Sequence, residues 1–362
     1  MNWLVSAIIL LSVFQANPYR SSFWDLIEVD SAWKYSKGDA ATLIGIVDMG
    51  FDFYHPDLKS SLRPGYFADG VYHPEVYEVI AHGTAVVSVI HSLAPNCPIL
   101  TASTGVIEHT LLKLKKEYEL QHPGASLKDF QSEIIKHSNE LSKFGKEWKN
   151  YVNRTTSEAI KYLVDRGVKV INISALLDDC PVLDSAFQYA ATHDVVIVIG
   201  AGNSNIKYEN YPGKGLSNII VVGASTLNDV RWVTQIPELN IKQGSNFSSR
   251  LTVVAPSESL IVAEPHDPRF YKADDSPFGP EDMKFSSIRD TIEYGATSMA
   301  TAIVSGLVAL IRSLRPDLSA DEVVSIVKEG AKDIGSPGFD QYTGFGRIDF
   351  AKSIEIARRI RK

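Results

Sequence analysis

Short runs of valine and isoleucine recur along this chain with helical stretches between them, and this alternation constrains the fold more than any other feature. Strands that are apolar at every position are buried on both faces, as in parallel sheets covered by helices. The chain is therefore predicted to be an α/β protein, with a mostly parallel sheet between two helical layers. Its functional groups should gather beyond the carboxyl ends of the strands. The apolar runs lie at residues 42–47, 98–103, 169–173, 195–199, 219–222 and 251–254.

Composition narrows the function classes. The 362 residues carry a formal net charge of −7, which disfavours a nucleic-acid-binding protein. There are two cysteines, Cys97 and Cys180, and these cannot form a zinc site of four thiolates. Cys97 precedes its predicted strand and Cys180 follows another, so they should lie at opposite ends of the sheet. We therefore expect two free thiols.

Two segments do not follow the alternation of strands and helices. Residues 3–14 form an apolar run of signal-peptide length, which predicts a signal peptide over 1–16, one domain over 17–362 and a secreted or periplasmic protein. A buried N-terminal strand or helix is the alternative. Residues 105–152 show helical periodicity broken by His122-Pro123-Gly124, which predicts a helical hairpin inserted into the domain. Thr155 and Glu158 then form a capping-box pattern that predicts a helix ending at Gly167.

Four polar residues stand at the ends of predicted elements. Asp48 follows the first strand, His82 precedes an apolar helix, Asn203 follows the strand at 195–199, and Ser298 lies in the first turn of an apolar helix. Each taken alone fits a turn, core or capping residue. A helix N-terminus, however, favours the negative charge that develops on a serine nucleophile. Gly200-Ala201-Gly202 resembles the start of a dinucleotide-binding fingerprint, but Asn205 occupies the position of its third glycine.

Together these segments resemble the subtilase family, from about residue 23 to about residue 351. The segments that carry the resemblance are IVDMG, HGTAVVSVI, INIS, GAGNSN, NFSSRLTVVAP and ATSMATAIVSG. The resemblance implies a subtilisin-like three-layer sandwich and a serine endopeptidase without a cofactor. Ser298 would be the nucleophile, His82 its base, and Asp48 the residue that orients His82. Asn203 would donate to the oxyanion.

The resemblance also assigns residues that bind the substrate. Ser174, Ala175 and Leu176 match the strand that pairs with the substrate backbone, although the glycines usual after that serine are replaced. Asn210 matches the base of the primary specificity pocket. Because Glu209 lies beside Asn210, a polar or basic preference is expected. The 105–152 hairpin replaces a loop that flanks the substrate in relatives.

The chain departs from the family pattern at several positions. Ala296 stands where subtilases usually have glycine, Ala302 where they have proline, and Met49 where they have serine or threonine. The loop after the His82 helix is too short for the calcium loop of many relatives, although Asp57 matches one ligand, so no metal is expected. Only a few residues separate the predicted signal peptide from the start of the resemblance, so no folded pro-domain is expected.

Two further functions stay open at this stage. The enzyme could transfer the acyl group of its acyl-enzyme to an amine, or it could hydrolyse esters; Ala302 is the residue that suggests this. Alternatively, the chain could be a non-catalytic binding protein on the same fold, for which Ala296 and Met49 are the hints. The expected partner is a peptide or protein substrate. No nucleic acid, no stable membrane span and a monomeric state are expected.

Overall fold

The computed structural model describes residues 20, 22–68, 82–104, 118, 120–124, 145–236, 241–258, 260–263, 291–294 and 296–361. The helices with described bounds are α1 (Phe23–Leu26), α2 (Val29–Trp33), α3 (His82–Leu93), α4 (Gly145–Asp165), α5 (Pro181–Thr192), α6 (Ala296–Leu314), α7 (Ala320–Gly330) and α8 (Phe350–Arg359). The strands are β1 (Ile44–Asp48), β2 (Leu62–Phe67), β3 (Ile99–Ser103), β4 (Val170–Ile173), β5 (Val196–Gly200), β6 (Ile219–Ser225), β7 (Val233–Ile236), β8 (Ile241–Gly244), β9 (Val253–Pro256), β10 (Leu260–Ala263) and β11 (Thr291–Tyr294).

Seven of these strands form one parallel sheet in the order β2-β3-β1-β4-β5-β6-β9. The six predicted apolar runs are confirmed as β1, β3, β4, β5, β6 and β9, each end within three residues of its prediction. Two antiparallel pairs, β7–β8 and β10–β11, stand apart from the sheet. The predicted three-layer α/β fold is therefore confirmed.

The strands are apolar throughout because each of their faces lies against a separate core. Val196 and Val198 of β5 point into the core formed with α3, α6, α7 and α8. Ile197 and Ile199 point into the opposite core, formed with α4 and α5. Within the described residues, α6 is the one helix long and apolar enough to cross a membrane, and it is 89% buried inside the protein. It is the central helix of the first core, and the serine predicted as nucleophile lies in its first turn.

One predicted helix boundary is wrong. α4 begins at Gly145, so Thr155 lies in its middle instead of capping its start. The Thr155 hydroxyl donates to the carbonyl of Tyr151 one turn earlier (3.0 Å), and this bond replaces the predicted cap. The Glu158 carboxylate accepts from the Tyr66 hydroxyl (2.7 Å). Residues 145–152, the last part of the predicted hairpin, therefore lie within α4.

Other predictions fall partly or wholly outside the described residues. The predicted signal peptide, 1–16, lies outside them, as do 105–117, 119 and 125–144 of the predicted hairpin. The cysteines lie where the sequence places them. Cys97 precedes β3 and Cys180 caps α5 beyond the carboxyl end of β4, and both are free thiols.

Candidate active site

Asp48 is the last residue of β1 and lies at the carboxyl edge of the sheet, with its side chain 3% exposed. Its Oδ1 accepts from the Met49 backbone N–H (2.7 Å) and lies 2.7 Å from Nδ1 of His82. Its Oδ2 is buried and has no hydrogen-bond partner within the described residues. Subtilases usually supply a hydroxyl at position 49, which here is methionine. The carboxylate is therefore positioned by one oxygen alone.

His82 is the first residue of α3, and a glycine brings it close to Asp48. Gly83 N–H donates to the carbonyl of Met49 (3.0 Å), which joins α3 to the end of β1. A Cβ at position 83 would lie 2.4 Å from the carbonyl oxygen of Gly50, so only glycine permits this approach. Burial disfavours protonation of His82, but the charge of Asp48 and its hydrogen bond outweigh burial and raise the pKa of His82.

Ser298 lies in the first turn of α6 and is buried. The helix begins at Ala296, whose φ of 75° lies in the left-handed region that favours the glycine usual in subtilases. Ala296 N–H donates to the carbonyl of Ser257 (3.1 Å), which fixes this start. The Ser298 hydroxyl donates to the carbonyl of Ser174, which directly follows β4, the strand next to β1, so Ser298 lies at the carboxyl edge of the sheet. Ser298 and the Asp48–His82 pair consequently share that edge.

Ser298 and Ser174 are joined by two reciprocal hydrogen bonds. The Ser298 hydroxyl donates to the carbonyl of Ser174 (3.1 Å), and the Ser174 hydroxyl donates to the carbonyl of Ser298 (2.9 Å). Asn172 Nδ2 donates to the Ser174 hydroxyl (3.0 Å), and Ser305 of α6 donates to Asn172 Oδ1 (2.9 Å). All four residues are buried. This chain of bonds crosses from α6 to β4 and back, and it fixes the first turn of α6 against the sheet.

Asn203 follows β5 and is oriented by Thr297. Its Oδ1 accepts from the Thr297 backbone N–H (3.0 Å) and from the Thr297 hydroxyl (2.7 Å). Because a backbone N–H can only donate, the carboxamide must turn its oxygen to Thr297. The two N–H groups of Nδ2 are then left for another acceptor, next to the residue that precedes Ser298. Asn203 therefore presents a side-chain donor beside the N-terminus of α6.

The residues predicted to bind the substrate lie in the segments that follow β4 and β5. Ala175 and Leu176 continue from Ser174, and the Leu176 side chain lies against Gly202. The Asn210 carbonyl accepts from the Asp179 N–H (2.6 Å), which joins Asn210 to the segment that follows β4. The Glu209 carboxylate accepts from Ser249 N–H (3.0 Å) and the Ser249 hydroxyl (2.6 Å), so it is engaged with a turn next to β9.

Sequence reasoning missed three residues that hold this site: Thr297, Asn172 and Ser305. Asn172 carried a visible signal, because it is the one polar residue within the apolar run of β4. A polar side chain buried in a sheet needs a partner. Thr297 and Ser305 carried none, because small hydroxyl residues are common in buried helices. No group of three or more His, Cys, Asp or Glu side chains that could hold a metal ion occurs within the described ranges.

The fold agrees with what comparisons with known proteins find. The model of the Subtilase family matches residues 39–346. The chain is 26% identical over 323 residues to the Thermophilic serine proteinase of Bacillus sp. strain AK1, covering 88% of this chain and 63% of that protein. It is 24% identical over 334 residues to Halolysin of Haloferax mediterranei, covering 91% and 52%. The chain thus spans between about half and two thirds of the length of these two relatives.

Solved structures give the same fold at low identity. The crystal structure of a lanthipeptide protease superposes with a TM-score of 0.64 at 18% identity, covering 95% of this chain and 97% of that one. Fervidolysin from Fervidobacterium pennivorans superposes with a TM-score of 0.61 at 19% identity, covering 90% and 45%. The family match extends over most of the chain and includes the Asp48, His82, Asn203 and Ser298 segments. The chain therefore belongs to the subtilase family.

Proposed function

We propose that this chain is a serine endopeptidase that cleaves peptide bonds through an acyl-enzyme on Ser298. The observation that carries the proposal is the 2.7 Å contact between Asp48 and His82 at the sheet edge where α6 presents Ser298. A buried carboxylate beside an imidazole holds the ring in one tautomer and stabilises its cation. A serine in the first turn of a buried helix lies in a positive potential that favours an alkoxide-like transition state.

The proposed reaction has two halves. The Ser298 hydroxyl attacks the scissile carbonyl carbon while His82 accepts the hydroxyl proton, and the C–N bond then breaks as His82 returns that proton to the leaving amine. Water, deprotonated by His82, then attacks the resulting ester; the bond between the acyl carbon and the Ser298 oxygen breaks, His82 returns the proton to that oxygen, and the acid is released. Asn203 Nδ2 and the Ser298 backbone N–H donate to the oxyanion in both halves. The hydrogen bonds from Thr297 to Asn203 support this role by fixing the carboxamide before substrate binds.

The substrate is proposed to be an extended peptide or protein that pairs with residues 174–176. Extended peptides bind through main-chain hydrogen bonds to an exposed strand. The apolar run at residues 3–14 supports a secreted or periplasmic location, with the signal peptide removed. The N-terminal sequence of protein recovered from the growth medium tests this location. Retention of residues 1–16 in the mature protein would contradict it.

The function is tested by the intact mass of the protein after reaction with a fluorophosphonate, which labels activated serines. A single adduct is expected on the wild type and on Ser319→Ala, and none on Ser298→Ala. Ser319 is the matched control because it caps α7 in the ordinary way, with its hydroxyl accepting from Glu322 N–H (3.2 Å). Hydrolysis of a casein substrate by the wild type, absent from Ser298→Ala, completes the test. A folded wild type that takes no adduct would overturn the proposal.

A further inference from the structure

Two segments leave the sheet side by side, and the space between them is here called the crevice. β4 and β5 are neighbours with Ile173 opposite Ile199, so residues 174–176 and 200–202 begin in register. In parallel sheets ligands bind outside the carboxyl ends of the strands. The Ser298 hydroxyl lies 3.1 Å from the Ser174 carbonyl on one segment, and Asn203 directly follows the other. A carbonyl attacked by Ser298 is therefore seated between the two segments.

That geometry determines where one substrate side chain goes. The residue that supplies the scissile carbonyl, here called the acyl-side residue, lies between the ends of the two segments. The floor of the site is already occupied by Ser174 and Ser298, both buried. The acyl-side side chain must then enter the crevice between residues 174–176 and 200–202.

Leu176 occupies this crevice in the structure. Its Cδ2 and Cβ lie 3.0 and 3.3 Å from the point where a Cβ on residue 202 would be, so the leucine lies directly against the Gly202 backbone. Gly202 has a φ of 91°, and a Cβ there would lie 2.6 Å from Asn246 Nδ2. The leucine therefore spans the gap between the two segments. Its 37% exposure places it at the mouth of the crevice, facing solvent on one side.

Both walls of the crevice are fixed, so it cannot widen without loss of hydrogen bonds. On the 200–202 wall the Ala201 carbonyl accepts from Asn246 Nδ2 and from the Tyr211 hydroxyl, each at 3.0 Å. On the other wall the Asp179 N–H donates to the Asn210 carbonyl (2.6 Å). Leu177, which follows Leu176, is anchored in the core beneath the sheet. A large substrate side chain would have to displace Leu176 itself.

We infer that Leu176 closes the primary specificity pocket and restricts the acyl-side residue to small side chains, glycine and alanine above all. The inference rests on the proposed endopeptidase function and names the substrate class of the same site. It replaces the polar or basic preference expected from Asn210 and Glu209. The Glu209 carboxylate is engaged by Ser249 and Lys207, and the Asn210 carbonyl is held by Asp179.

The test compares quenched fluorescent peptides that differ only at the acyl-side residue, which is alanine, leucine, phenylalanine or arginine. The full-length wild type, Leu176→Ala and Leu176→Gly are assayed, and mass spectrometry confirms the cleaved bond. Val230→Ala is the matched control, since Val230 is an exposed aliphatic residue in the turn between β6 and β7. The readout is the ratio of kcat/KM for phenylalanine to that for alanine, which is independent of the fraction of active enzyme.

The wild type is expected to prefer alanine over phenylalanine, leucine and arginine by about 100-fold in kcat/KM. Leu176→Gly should raise the ratio of kcat/KM for phenylalanine to that for alanine by about 10- to 100-fold. Leu176→Ala should give an intermediate ratio and Val230→Ala the wild-type ratio. Equal cleavage of all peptides by the wild type, or an unchanged ratio in Leu176→Gly, would overturn the inference while fluorophosphonate labelling upheld the function. No labelling and no cleavage of any peptide would overturn both.

Discussion

The two halves of the candidate site are held in different ways. The nucleophile half consists of Asn172, Ser174, Asn203, Thr297, Ser298 and Ser305, and each of its side chains is tied to another member by a hydrogen bond. The acid–base half consists of Asp48, Met49 and His82. Asp48 Oδ1 receives two donors in this half, whereas its buried Oδ2 has none within the described residues.

This difference indicates in which half a substitution should lower the stability of the protein and in which half it should raise it. Deleting a member of the nucleophile half leaves a buried polar group without its partner, which costs about 1–3 kcal/mol. The acid–base half already contains such an orphaned atom, so a suitable donor there should stabilise the protein. The predictions below test this contrast, beginning with the largest effect.

Asp48→Asn should lower kcat by about 10⁴-fold, because an amide cannot hold His82 in the tautomer that accepts the serine proton. The pH profile of kcat/KM should move as well. Asp48 raises the pKa of His82 against the opposing effect of burial. Without the carboxylate only burial remains, so the pKa of His82 should fall and the acid limb of the profile should shift to lower pH.

The control for this prediction is Asp39→Asn, which alters an exposed carboxylate that accepts from the Ala41 N–H (2.8 Å). Its rate and pH profile should equal those of the wild type. An acid limb that stays in place in Asp48→Asn would show that a group other than His82 controls activity at low pH.

Asn203→Ala should lower kcat by about 10²–10³-fold, the range found for one oxyanion donor in other serine peptidases, with KM changed little. The donor acts on charge that develops only in the transition state. Thr297 would keep its backbone position but lose its acceptor at Asn203 Oδ1. Steady-state kinetics on a peptide with alanine as the acyl-side residue measure kcat and KM separately. Asn228→Ala, at an exposed position, is the control, and an equal change in both variants would remove Asn203 from the mechanism.

Ser305→Ala should lower the free energy of unfolding by about 1–3 kcal/mol, because Asn172 Oδ1 loses its donor in a buried site. It should also lower kcat by about fivefold at unchanged KM, since about 1 kcal/mol of positioning is lost at Ser174 and Ser298. Ser92→Ala is the control, a buried serine of α3 whose hydroxyl donates to the Val89 carbonyl (2.7 Å). Urea unfolding and steady-state kinetics check both effects. A kcat as high as that of Ser92→Ala would reduce Asn172 and Ser305 to a structural role.

The fold followed from the sequence wherever a segment is buried on both faces. All six runs of valine and isoleucine are strands, because uniform burial leaves a simple pattern. β2 was missed because it is an edge strand with a single buried residue, Leu62, and with Pro64 and Gly65 in its middle. Gly65 permits close pairing, since a Cβ there would lie 2.4 Å from the Thr101 carbonyl oxygen.

Only part of the candidate site could be predicted, because the contacts between distant residues cannot be read from the sequence. Asp48, His82, Asn203 and Ser298 were predicted as site residues because each follows or begins a predicted strand or helix and because the segments around them resemble the family pattern. The contact between Ser305 and Asn172 joins residues 133 apart, and the sequence contains no register between a helix and the strand beneath it. Crevice closure by Leu176 also depends on the register of β4 and β5, which only the structure supplies.

The smallest predicted effect tests the orphaned oxygen directly. Met49→Ser places a hydroxyl beside Asp48, where subtilases usually have one, and Met49→Ala removes the same side chain without adding a donor. The serine variant should be more stable than the alanine variant by about 1 kcal/mol in urea unfolding, because Oδ2 gains a hydrogen bond. Equal stabilities would mean that Oδ2 is already satisfied in solution, and the contrast between the two halves would then lose its basis. A gain confined to Met49→Ser would show that the acid–base half keeps its carboxylate incompletely bonded, held only through Oδ1 by the Met49 N–H and His82.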